Sequence, residues 1–213
     1  MLVMQISTRP STHIYLVRHA QKRSDFGDPG ITALGLQQAQ ITGTYFTKIG
    51  VDAVWSSPRL RTRETAAFIA RETNCELEID ERITERANWG DLKGQTFPEF
   101  ELMWERATKD RDWHPPIGDT SRHAGMRMTR AVFHMGHQQK HDWFLVTHAG
   151  AICDLLRNLF SSSTLDALIP NFSIETDAFI HECSITELIV DREAKHIEIV
   201  SLASTEHLPD ELM

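Results

Sequence analysis

Arg18 and His19 close a short apolar run that begins at Ile14, and Thr147 and His148 close a second one that begins at Phe144. Continuous apolar runs of this length predict strands buried on both faces, as in parallel sheets. Ligands of open α/β sheets sit beyond the carboxyl ends of such strands, so two imidazoles and a guanidinium are expected to meet in one crevice. That set suits an anion undergoing transfer. A phosphoryl group spreads charge over its equatorial oxygens, which fixed cations and N–H donors stabilise while a nucleophile attacks in line. A neutral imidazole is a competent nucleophile near pH 7, and a guanidinium holds phosphate through a bidentate fork. His19 is the candidate nucleophile, with Arg18, Arg61 and His148 as the candidate donors.

The elements that must position these groups alternate along the chain. A polar loop from Gln21 to Gly30 leads to a helix opened by Thr32 as N-cap, with Leu34, Ala39 and Tyr45 or Phe46 as its buried stripe. Val51 to Trp55 predicts a strand, and Ser57 and Pro58 the N-cap and first position of a helix running towards Glu72. A short strand is expected from Glu76 to Ile79. The segment from Glu81 to Thr120, rich in Trp, Pro and charge, has the composition of an excursion over the site mouth. Asp119 or Thr120 starts a helix to about Met135, and Gly150 to Phe160 forms another whose N-terminus faces the crevice. Ile185 to Val190 and His196 to Leu202 predict an antiparallel hairpin.

The totals exclude several classes. With 213 residues and no linker-like block, one domain over 1–213 is expected, with residues 1–11 as a flexible tail. Apolar content of 41% and mean hydropathy of -0.32 are those of a soluble globular chain. No apolar stretch approaches the roughly 20 residues that span a bilayer, and Met1 to Met4 is too brief for a signal-peptide core. A net charge of -8 repels phosphate backbones and acidic membrane surfaces, so neither nucleic acid nor membrane is an expected partner. A small phosphorylated substrate remains compatible, because arginines focused in a cleft outweigh a distant negative surface. Cys75, Cys153 and Cys183 are odd in number and lack CxxC spacing, which argues against a disulfide framework or structural zinc and for a reducing cytoplasm. No feature specifies an oligomeric state.

Leu16-Val17-Arg18-His19-Ala20 resembles the Arg-His-Gly signature of the histidine phosphatase (phosphoglycerate mutase-like) superfamily. Further blocks follow in that family's order. Ile31 to Ala39 resembles its "LT..G..QA" helix start, Ser57 to Ala66 its "SP..RA..TA", and Val146 to Gly150 its "V.HGG". Glu85 ahead of Trp89 to Gly94 resembles the acidic residue before "G.weG", Gly118-Asp119-Thr120 is a weaker echo of "GES", and Glu206-His207-Leu208 is similar to a frequent ending. The blocks run from about residue 14 to 157. The resemblance implies an α/β fold, a three-layer α/β/α sandwich around a central, mostly parallel sheet. It further implies a metal-independent phosphomonoesterase without cofactor, in which His19 becomes a phosphohistidine and Glu85 protonates the leaving oxygen and later activates water. Arg18, Arg61, His148 and Ala149 would surround the phosphate.

The chain departs from the pattern in three places. Alanine follows both histidines where the family has glycine, Glu85 lies one residue farther from its glycine than usual, and the loop from Gln21 to Gly30 is shorter than in the mutases. The second departure leaves Asp91 and Asp119 as reserve proton donors, and the third favours hydrolysis over mutase chemistry. A mutase and a non-catalytic phosphate-binding module stand as alternatives. Among the other residues, Arg59, Arg61 and Arg63 point to different sides of a helix, so at most one or two reach the phosphate. Glu85 has a competing structural reading as an ion pair to Arg82 or Arg86. A carboxyl beside Trp89 would have its pKa raised by desolvation, which nearby arginines would oppose. His134, His137 and His141 read as a hydrated helix end rather than a metal site. Trp104, Trp113, Phe97 and Phe100 read as packing for the excursion, one of them lining the pocket, and Met126, Met128 and Met135 as core.

Overall fold

Strand β1 (Ser11–Arg18) sends Ile14 and Leu16 into one core and Tyr15 and Val17 into another. Strand β4 (Asp142–Thr147) divides Trp143 and Leu145 from Phe144 and Val146 in the same way. Strands buried on both faces belong at the centre of a sheet. In the computed structural model, which describes residues 11–138, 142–172, 177–191 and 196–213, the two are parallel neighbours, with Arg18 opposite Thr147.

Around them lie β2 (Ala53–Ser56), β3 (Leu77–Ile79), β5 (Ile185–Asp191) and β6 (His196–Ser204), in the order β3-β2-β4-β1-β5-β6. The first four are mutually parallel; β5 runs antiparallel to β1 and β6 to β5, giving the mixed, mostly parallel sheet and the expected hairpin. Helices α1 (Ala33–Phe46) and α2 (Leu60–Thr73) cover the Tyr15 and Val17 face, while α4 (Ser121–Gly136) and α5 (Ala149–Leu159) cover the other. The result is an α/β/α sandwich. After β1 the chain leaves for one face and after β4 for the other, so the adjacent carboxyl ends of β1 and β4 form a topological switch point, where such folds bind ligands.

Thr32 caps α1, its hydroxyl accepting the Gly35 N–H at 2.9 Å. Gly35 itself is required: a Cβ there would lie 2.3 Å from the Gln21 carbonyl oxygen. The α1 stripe differs from expectation, since Ala39 and Phe46 are buried but Tyr45 is exposed and Leu34 only half-buried. The rest of the buried face is Gly35, Gln38, Thr42 and Gly43; Gly43 lets α2 approach, since a Cβ there would lie 3.1 Å from the Phe68 carbonyl oxygen. The tail is shorter than expected, because Ser11 already pairs with Asp191; residues 1–10 lie outside the described residues, as do His141 and residues 192–195. Met128 and Met135 are core, whereas Met126 is exposed.

Ser57 and Pro58 do not start α2, which begins at Leu60 with Arg59 at the N-cap position. The cap is supplied from elsewhere: Asp28 accepts the Leu60 N–H at 3.0 Å, leaving the Ser57 hydroxyl for another partner. The excursion holds a short 3-10 turn, Glu81–Ile83, and α3 (Phe97–Lys109). It is anchored to α5 through Arg86, whose guanidinium lies 3.8 Å over the Trp104 ring and bonds Asp154 at 3.2 Å, with Thr108 and Ser121 completing the cluster. Arg86 and Asp154 are almost wholly buried. Removing one partner of such a pair strands the other charge, so Asp154→Ala is expected to lower unfolding free energy by about 3–5 kcal/mol. The urea midpoint measures it.

Candidate active site

His19 follows β1 directly, and its backbone N–H bonds the Thr147 carbonyl at 2.9 Å, fastening the two strand ends together. Its Nδ1 lies 2.8 Å from the Ala20 carbonyl oxygen, which only accepts, so the ring proton sits on Nδ1. Nε2 therefore carries the lone pair, towards which Arg61 Nε donates at 3.1 Å. Burial, reinforced by the Arg61 and Arg18 cations, holds the imidazole well below its ordinary pKa and keeps it neutral. Arg61, only 3% exposed, is drawn down to about 10 by burial and stays cationic at neutrality; Glu85 and Asp28 oppose the shift.

His148 is buried beside His19, with ring centroids 5.3 Å apart. Its Nε2 lies 2.8 Å from the Ser57 hydroxyl. The Ser57 Oγ also accepts the Arg59 N–H at 3.3 Å and so anchors the ring by one nitrogen, leaving Nδ1 as the other. That Nδ1 is buried and has no hydrogen-bond partner among the described residues. Burial, with Arg61 next, keeps this ring neutral as well.

Arg18, His19, Arg61, Glu85 and Ala149 all line one cavity of about 560 Å³. Arg18 donates to the Ile180 carbonyl and, at 2.5 Å, to the Glu182 carboxylate. Ala149 is the first residue of α5, whose positive end therefore faces the cup. Glu85 accepts the Arg86 N–H at 3.0 Å and the Gly150 N–H at 3.1 Å. A Cβ on Gly150 would lie 2.7 Å from this carboxylate and 2.5 Å from the Trp104 ring, so glycine is what admits Glu85. Burial pushes the Glu85 pKa up to about 7, the Asp177 carboxylate adds to the rise, and Arg86 opposes it. The indole that flanks Gly150 beside Glu85 is Trp104.

The sequence-level alternatives fall elsewhere. Arg86 pairs with Asp154 and Arg82 with Asp80, so neither forms an ion pair with Glu85. Asp91 pairs with Arg59, and Asp119 with Arg127 and His123; neither lines the cavity. Of Arg59, Arg61 and Arg63 only Arg61 lines the cavity; Arg59 is engaged by Asp91 and Arg63 faces solvent. His137 bonds the Phe133 carbonyl and His134 contacts Gln138.

A sequence model of the histidine phosphatase superfamily, branch 1, matches residues 14–202. The chain belongs to that superfamily. A protein of Hydrogenobacter thermophilus named as a phosphoserine phosphatase is 37% identical over 93 residues, 39% of this chain and 44% of that one. One of Escherichia fergusonii named as a phosphoglycerate mutase is 30% identical over 131 residues, 56% of this chain and 60% of its relative. The matched region thus spans less than two thirds of either relative. Among solved structures, an Entamoeba histolytica phosphoserine phosphatase holding phosphoserine superposes with a TM-score of 0.70 at 22% identity, covering 93% of this chain and 100% of that one. A mycobacterial glucosyl-3-phosphoglycerate phosphatase with inorganic phosphate gives 0.70 at 20% identity, with coverages of 93% and 100%. At such identities the likeness is one of fold.

The site of this superfamily member contains residues that its sequence does not point to. Ser57 was expected as a helix cap and instead orients His148. Asp28, in the loop after His19, joins the α2 N-terminus to Arg61, whose NH1 lies 3.4 Å from its carboxylate. Trp104 and Asp177 share a hydrogen bond of 3.2 Å at the cavity wall. Ser57→Ala should cost about 1 kcal/mol of positioning, a five- to tenfold loss in kcat/KM for an aryl phosphate, with little change in urea midpoint.

Proposed function

We propose that this histidine phosphatase hydrolyses a small phosphomonoester through a phosphohistidine on His19 Nε2. The observation that carries the reading is the His19 tautomer: a neutral ring with its proton anchored on Ala20 and its lone pair beside the Arg61 guanidinium at the cavity floor. Arg18, Arg61, His148 and the α5 N-terminus at Ala149 hold the three non-bridging oxygens. Nε2 forms a bond to phosphorus while the ester P–O bond breaks, and the Glu85 carboxyl gives its proton to the departing oxygen. Water then attacks phosphorus, Glu85 takes its proton, and the N–P bond breaks to release phosphate. One group serving as acid and then base follows from microscopic reversibility.

The guanidiniums supply the charge this chemistry needs, so activity is expected to persist in EDTA. Cys75, Cys153 and Cys183 are all free thiols, which suits the reducing cytoplasm proposed for the enzyme. No described helix is long and apolar enough to cross a membrane. Rapid acid-free quenching of enzyme mixed with ³²P-labelled aryl phosphate should trap label that is alkali-stable and acid-labile. An active preparation that yields none, with trapping controls intact, would sink the phosphohistidine route.

The likeness to a relative named as a phosphoglycerate mutase favours a second reading. Supplying 3-phosphoglycerate with a trace of 2,3-bisphosphoglycerate separates the two: isomer formation without phosphate release would replace hydrolysis by transfer.

A further inference from the structure

Beyond the phosphate cup, the cavity has walls that the reaction does not use. Helix α3 turns Phe97, Phe100, Glu101, Trp104 and Glu105 to it, positions separated by three or four residues and therefore on one helical face. The helix is held by a capping box, in which Thr96 and Glu99 satisfy each other's backbone groups. Phe97 is 47% exposed and meets Trp89 edge-on with centroids 5.2 Å apart. Asp177 reaches the same wall through the Trp104 indole N–H. Glu105 is tied to Lys109, whereas among the described residues no hydrogen bond or ion pair engages Glu101.

The cavity is consequently polarised. Its cations gather at the His19 end, and this includes Lys22, whose pKa is lowered by burial and by the neighbouring Arg61 and Arg18 charges. The α3 side offers aromatic rings and carboxylates with no cation among its lining residues; Arg86 stacks on Trp104 from outside the lining and is paired with Asp154. A substrate phosphate seated on the cup directs the rest of the molecule towards that wall. Aromatic faces attract a cation, and a carboxylate within reach strengthens the attraction and repels an anion.

We propose that the leaving group of the substrate carries an alkylammonium, seated against the Phe97 and Phe100 rings and between the Glu101 and Asp177 carboxylates. This rests on the phosphomonoesterase reading and narrows it: the preferred esters are aminoalkyl phosphates of the choline or ethanolamine type, and esters bearing a carboxylate are poor. A neutral ester of the same shape gains the apolar contact without the charge.

The test pairs phosphocholine with its neutral isostere 3,3-dimethylbutyl phosphate, and adds phosphoglycolate as the anionic comparison. Wild type is expected to show kcat/KM at least tenfold higher for phosphocholine than for the isostere, with phosphoglycolate lowest. Glu101→Gln, a substitution on an exposed helix position, should shrink the ratio fivefold or more, and Glu101→Lys should raise phosphoglycolate above phosphocholine. A ratio below threefold, or one that Glu101→Gln leaves unchanged, overturns the proposal. Calorimetric binding of the same pair to His19→Ala reads the wall without turnover. If wild type hydrolyses no ester, an aryl phosphate included, while that variant still prefers phosphocholine, the phosphatase reading fails and the ammonium site stands; equal binding of the pair removes the site.

Discussion

Replacing His19 by alanine is expected to lower kcat for an aryl phosphate, in EDTA, by about 10⁴-fold or more, a loss typical of removing a covalent nucleophile. The reason lies in what the rest of the pocket can and cannot do. Arg18, Arg61 and the α5 N-terminus still hold phosphate, so KM should move only a few-fold. None of them carries a lone pair able to attack, and His148, held to Ser57 through Nε2, is not among the residues lining the cavity. A variant within tenfold of wild type would remove His19 from the chemistry.

Glu85→Gln should separate ester classes by their leaving groups. For an alkyl phosphate the departing alkoxide needs a proton, and the single-turnover rate is expected to fall about 10²–10³-fold. An aryl phosphate with a stable phenolate needs less help and should stay within about tenfold. Because the same carboxyl activates water, phosphoenzyme should accumulate in the variant and appear as a burst. The pH profile follows from the Glu85 pKa of about 7. The acid form is the proton donor, so alkyl phosphate cleavage should be level below pH 7 and decline above it. On the acid side His19 remains neutral to well below 6.5, so its protonation brings no loss there. Glu85→Gln should abolish the alkaline decline; a variant that keeps it would assign the limb to another group.

The strands ending at the two histidines were legible because apolar runs and terminal histidines are local signals, and the expected sandwich followed from the family blocks. Thr32 caps its helix as the sequence suggests, and of the two candidates Asp119 and Thr120 it is Thr120 that caps α4, each threonine accepting the N–H three residues on. Ser57 misled because its local context is that of a cap, while its hydroxyl is claimed by a histidine far along the chain. Asp28 escaped notice for the same reason, since its two partners belong to a different helix. The Arg86, Asp154 and Ser121 cluster joins three separate segments, and neither periodicity nor spacing encodes such a meeting. Glu85 could be placed by order but not by environment: its raised pKa comes first from burial and then from Asp177, which is remote in sequence.

The direct pairing of β1 with β4 sets the order in which the molecule can be made. β1 leaves the ribosome early, and its central neighbour follows only after α1, β2, α2, β3 and the whole excursion. Until then neither edge of β1 has a partner, since β5 is later still, and the Ile14 and Leu16 side lacks the helices that will cover it. Such long-range closure is slow and leaves sticky surface uncovered while synthesis proceeds. Catalytic competence should accordingly emerge last during refolding, in one step with β4 docking, and the nascent chain is a natural client for chaperones.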